Sequence, residues 1–155
     1  MAANELSNRD ARGWPGYTAL LIGIVYALIG IAGFFLTGFS GFFARSGEEL
    51  LGIFEVNGLH NVVHLAAGIV LILGFYVSRL AVAFLGAVFA LVFLGLAIVG
   101  PFLTGSESNI LALNAADHWL HLGTGVVLGA VSYSAYRARS ERTHEIRDAC
   151  PGGVC

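Results

Sequence analysis

Charge is absent from four long stretches of the chain. No Asp, Glu, Lys or Arg occurs from Gly13 to Ala44, Val56 to Ser78, Leu80 to Ser106, or His118 to Tyr136. A helix that crosses a bilayer needs roughly 20 mostly apolar residues, and each stretch has room for one. The predicted spans cover about residues 17–37, 57–77, 80–103 and 115–136. An N-terminal segment 1–16 and a C-terminal tail 137–155 flank them. The predicted fold class is an all-α membrane protein, a four-transmembrane-helix bundle with no room for a soluble domain. Composition agrees, since 12% of residues are charged, against about 25% in an ordinary soluble domain. The first run is too long for the apolar part of a cleaved leader, and no small-x-small site follows it. Glu5 and Asp10 also dilute the basic character ahead of it, so span one is expected to stay in the mature protein.

All eight basic residues are arginine. Arg9 and Arg12 precede span one, Arg79 separates spans two and three, and Arg137, Arg139, Arg142 and Arg147 follow span four. Only Arg45 falls in the other set of loops. Basic residues stay on the cytoplasmic side, which predicts a multi-pass protein of the plasma (inner) membrane with both termini cytoplasmic. Trp14, Tyr17, Tyr76, Tyr133 and Tyr136 then mark the inner interface and Trp119 the outer one. Cys150 and Cys155 lie in the tail "CPGGVC". On the reducing side a structural disulfide is not expected there, and the Pro-Gly-Gly between them reads as a flexible end.

The second half echoes the first. "NGLHNVVHLAAG" (57–68) aligns without gaps on "NAADHWLHLGTG" (114–125), and "VYALIGIAGFFLTG" (25–38) resembles "VFLGLAIVGPFLTG" (92–105). Two helical hairpins of the same orientation are predicted, related by a pseudo-twofold axis along the membrane normal. The outer loop of the first is longer and contains "SGEELLGIF" (46–54). Ser46 and Glu49 form a capping-box pattern that predicts a short interfacial helix. The alternative is a loop that dips Leu50, Leu51, Ile53 and Phe54 into the headgroups. Gly125 with Gly129, and Gly86 with Ala90, are small-residue pairs suited to close helix packing in lipid. Pro101 should bend or end span three.

Polar residues gather at the outer ends of spans two and four: Asn57, His60, Asn61, His64 and Asn114, Asp117, His118, His121. Residues i, i+3 or i+4, and i+7 share a helix face, so Asn57, His60 and His64 form one stripe and Asn114, Asp117 and His121 its equivalent. Polar groups at this depth turn away from lipid toward the interior. Asn57 and Asn114 read as N-caps, with Asp117 at a helix start that favours negative charge. The histidines have three readings. His60, His64, Asp117 and His121 bind one transition-metal ion, with zinc, iron, manganese and copper all suited to such donors. Alternatively, His64 and His121 are axial ligands of a haem. Otherwise the group is a hydrogen-bond network that fixes helix register. "HNVVH" has the histidine spacing of a zinc-protease helix, but Asn61 stands where the general-base glutamate would be, which excludes that activity. His118 is expected at the interface beside Trp119, and His144 in the solvated tail "RARSERTHEIRDA", which is expected to continue span four as a mixed-charge helix.

On "FEVNGLHNVVHLAAG" and "NAADHWLHLGTG", the chain resembles the domain-of-unknown-function 4383 family, small bacterial membrane proteins with four predicted spans. The resemblance covers about residues 17–136 and rests most on the V-N-x-x-H-N-x-V-H-L run. It implies the topology and the pairing of the two motifs and supplies no reaction. No nucleophile motif, phosphate loop or nucleotide motif appears, so the sequence makes no positive case for an enzyme. The expectation is a small membrane protein with a candidate metal cluster, or else an interaction or assembly subunit. Its partners would be the bilayer and other membrane proteins or itself, and no nucleic acid.

Overall fold

The computed structural model describes residues 13–149. The predictions for the first twelve residues and for Cys150 and Cys155 lie outside the described residues. Four helices follow one another: α1 (Trp14–Thr37), α2 (Gly58–Val77), α3 (Arg79–Leu103) and α4 (Ala115–Ala149). Two short strands, β1 (Glu48–Leu50) and β2 (Phe54–Val56), lie between α1 and α2. α1, α2 and α3 are long and apolar enough to cross a membrane. α4 is the most polar of the four and the longest, at 35 residues, about 52 Å at 1.5 Å per residue.

The helix ends follow from local chemistry. Pro15 sits in the first turn of α1, where its missing N–H costs nothing. Gly38, at φ 57°, ends that helix and gives its N–H to Phe34, a left-handed conformation that glycine adopts without strain. Ser78 is extended, closes α2 and opens α3, its Oγ accepting from Ala81 N at 3.1 Å. α3 runs two residues past Pro101 and stops at Leu103.

The interfacial helix expected over 46–54 does not form. β1 and β2 pair antiparallel instead, Glu48 with Val56 and Leu50 with Phe54. A helix this short is marginal on its own, and Leu51 and Gly52 turn the chain at φ 57° and 71°. Glu49 faces Glu55 across the ladder, while Glu55 Oε2 accepts from Gly47 N at 3.3 Å. Leu50 and Val56 are buried, whereas Leu51 and Ile53 are exposed.

The core is layered. Nearest the termini it holds Ala19, Val82, Ala83, Val131 and Ala135. Tyr26, Leu71, Ala90, Phe93 and Leu128 form the middle. At the end that bears the α1–α2 and α3–α4 loops, a set of buried polar side chains joins the apolar ones: Asn57, His60, Asn61, His64, Asn109, Asp117 and His121. The outer surface is apolar, with Phe35, Leu91 and Phe102 over 70% exposed. Polar inside and apolar outside suits a lipid solvent. α1 packs tightly on α2 and α3 on α4. A Cβ on Gly68 would stand 2.5 Å from Ala27 N, and one on Gly125 2.7 Å from Leu94 Cγ. Gly86 is less tightly approached, at 3.3 Å from Leu128 and Ser132, while Gly129 makes only ordinary contact with Ala90.

Candidate metal centre

α2 begins at Asn57, whose Oδ1 accepts from His60 N at 2.9 Å. The cap fixes the first turn, and the i, i+4 spacing then puts the His60 and His64 rings on one face. Their Nε2 atoms are 3.0 Å apart. From α4, His121 completes a triangle, its ring 6.3 Å from that of His60 and 6.1 Å from that of His64. One donor atom from each of the three lies within 4.8 Å of the other two. All three residues are buried. Tyr26 meets His64 edge-on at 5.0 Å, and Phe93 stacks on His121 at 5.3 Å.

Hydrogen bonding leaves this cluster incomplete. Of the six ring nitrogens, two form the His60–His64 contact. Of the other four, all buried, His64 Nδ1 and both nitrogens of His121 have no partner, while the backbone of Leu111 and Glu55 lies beside His60. A neutral imidazole has one N–H and one lone pair, so His121 leaves one of each unpaired. Each such group costs about 1–3 kcal/mol when left dry. An ion between the rings takes up the lone pairs that face it and leaves the N–H groups on the far side of each ring.

Asp117 stands outside the set of mutually close donors. Asn114 Oδ1 accepts from Ala116 N and Asp117 N at 3.0 and 3.2 Å, and Asn114 N donates to Asp117 Oδ2 at 2.9 Å. This reciprocal pair is a capping box built from Asn and Asp. Asp117 Oδ1 is buried and unpartnered. The two cap asparagines also tie the hairpins together. Asn57 Nδ2 donates to Ala44 O and Ile110 O, and Asn114 Nδ2 donates to Ile53 O, at 2.7–2.8 Å.

Asn61 and His118 do not join the cluster. Asn61 Nδ2 donates to Thr37 Oγ1 at 2.9 Å and its amide lies against Gly33, where a Cβ would collide with it. His118 Nε2 is 3.0 Å from Thr104 Oγ1 and its ring lies against Gly100. Sequence reasoning had not singled out Tyr26, Phe93, Thr37 or Thr104 for this site. Their signal was present, because Tyr26 aligns with Phe93 and Thr37 with Thr104 in the echoing 25–38 and 92–105 segments. Asn109 gave none; its Oδ1 accepts from Leu113 N at 2.9 Å within the α3–α4 loop.

Fold and site define the class: a helical protein with apolar, membrane-competent helices around a buried histidine cluster. The chain belongs to the family described as Domain of unknown function (DUF4383), whose model matches residues 17–134. Neither a curated protein nor a solved structure matches it.

Proposed function

We propose that the chain is a four-span membrane protein that binds one transition-metal ion through His60, His64 and His121, with Asp117 Oδ1 completing the set. The observation that carries this is three buried imidazoles, brought from two hairpins to within 4.8 Å, with His64 Nδ1 and both nitrogens of His121 unpartnered. Zinc–imidazole bonds of about 2.0–2.1 Å place tetrahedral nitrogens roughly 3.3 Å apart. The 3.0 Å between His60 and His64 Nε2 is close to that edge. Asp117 is one turn from His121 on the same face, and its buried, unpartnered Oδ1 is the carboxylate oxygen assigned as the fourth donor. The donor set suits zinc, iron, manganese or copper.

A haem between His64 and His121 fits less well, because the His60 and Phe93 rings crowd the space beside them. A structural network is favoured by one observation, the His60–His64 contact. Elemental analysis with an absorption spectrum decides among the three. About one metal per chain without a Soret band is expected; a Soret band would establish haem, and metal-free protein the network.

The proposed membrane frame has α4 as the fourth span, supported by exposed Trp119, Val126, Val127 and Tyr133 along it. The arginine distribution supports cytoplasmic termini in a plasma membrane, with the site near the opposite face. Segment 1–16 and tail 137–155 would then flank the domain 17–136. In the tail, Arg137 pairs with Glu141 at 2.9 Å. The matched partners of Asn61 and His118, and of Tyr26 and Phe93, support two parallel repeats about a pseudo-twofold axis through the site.

A further inference from the structure

We infer that the polar cavity at the loop end is the entrance by which a divalent cation reaches the histidine cluster, an inference that rests on the metal reading above. The cavity holds about 230 Å³, and Thr37, Ser40, Ser46, Glu48 and Asn57 line it. Hydroxyls, a carboxylate and an amide oxygen are hard donors that replace part of a cation's water shell. Its buried lining residues are Val56 and Asn57, the latter 2% exposed and with its Oδ1 holding His60 N. Three residues separate Asn57 from His60, about 4.5 Å along the helix axis. The first imidazole is therefore one turn below the cavity. Thr37, also on its wall, holds Asn61 Nδ2, and Asn61 Oδ1 is fully buried without a partner.

Charge points the same way. The two loops at this end carry Glu48, Glu49, Glu55 and Glu107 against Arg45. A mouth of one sign raises the local concentration of counter-ions and their rate of arrival. Asn57 Nδ2 bridges Ala44 O in one loop and Ile110 O in the other. The same side chain thus lines the cavity and latches the two hairpins above the site, so ion passage is coupled to loosening of that latch.

The test is stopped-flow uptake and chelator-driven release of Co2+ by full-length protein, followed by visible absorption. Ser40 is an exposed loop residue on the cavity wall, and Ser40→Trp fills that space. Uptake and release should both slow roughly tenfold while final occupancy is unchanged. Glu48→Gln with Glu49→Gln should slow uptake about threefold at low ionic strength and lose that effect at high salt. Should the tryptophan variant not fold, Ser40→Cys in a Cys150→Ser, Cys155→Ser background, labelled with a bulky maleimide after folding, makes the same obstruction. A full Co2+ spectrum with unchanged rates overturns the route and leaves the site standing. Wild-type protein that takes up no Co2+ overturns both.

Discussion

The two hairpins make matching contacts behind tips of different chemistry. α1–α2 brings two imidazoles, His60 and His64, to the cluster, and α3–α4 brings one, His121, with Asp117 where His60 has its counterpart. Behind the tips the supporting contacts match closely. Asn61 bonds Thr37 and rests on Gly33, while His118 bonds Thr104 and rests on Gly100. Tyr26 flanks His64 and Phe93 flanks His121. The difference teaches which positions hold the frame and which set its chemistry. The caps Asn57 and Asn114 and the imidazoles His64 and His121 are the same in both, while His60 against Asp117 is where the two tips offer different donors.

Breaking the shared position should have the largest effect. His64→Ala is expected to reduce metal from about one per chain to near zero, whereas His118→Ala, whose ring lies on the supporting Gly100, should leave it unchanged; elemental analysis of each variant reads this. Next in size is overpacking. Gly33→Ala would drive a methyl into the buried Asn61 amide, and we expect a loss of about 1–3 kcal/mol in unfolding. Gly100→Ala should cost less, because His118 is only half-buried and its ring can move aside.

The carboxylate sharpens the comparison. Asp117→Asn keeps an oxygen for the Asn114 N–H, so the cap survives, while the charged donor is lost. Zn2+ affinity in competition titrations should fall about 10–100-fold with little change in thermal stability. An equal affinity would make Asp117 a cap and nothing more. Smallest of all, Arg45→Ala removes an ion pair to Glu107 whose side chains are 59% and 88% exposed. It should change stability by less than about 1 kcal/mol.

Much of the helical frame was legible because uncharged length is a strong signal. The predicted 57–77 and 80–103 lie within a residue of Gly58–Val77 and Arg79–Leu103. The fourth span was predicted to 136 with the tail continuing it as a mixed-charge helix, and the helix does continue, to Ala149. Charge marks where apolar sequence stops, not where a helix does, and pairs such as Arg137–Glu141 at i, i+4 support the helix beyond. The hairpin over 48–56 was neither of the two readings given, a short helix or a loop, because Ser46-x-x-Glu49 is a local pattern. What decided that segment was nonlocal, the burial of Leu50 and Val56 and the close approach of Gly47 to Val56. At the site, the i, i+4 stripes placed the histidines on inward faces. Spacing alone did not reveal that Asp117 Oδ2 is taken by its own helix start, since a ligand and a capping residue share the same offset from Asn114.

The central claim is that side chains from both hairpins hold one ion, and X-ray absorption at the metal edge of purified protein addresses it most directly. The account predicts an ordered shell of three imidazole nitrogens with one oxygen, at about 2.0–2.1 Å if the metal is zinc, dropping to two imidazoles in His121→Ala loaded with excess zinc. A shell of water oxygens alone, or one unaltered by that substitution, would contradict it.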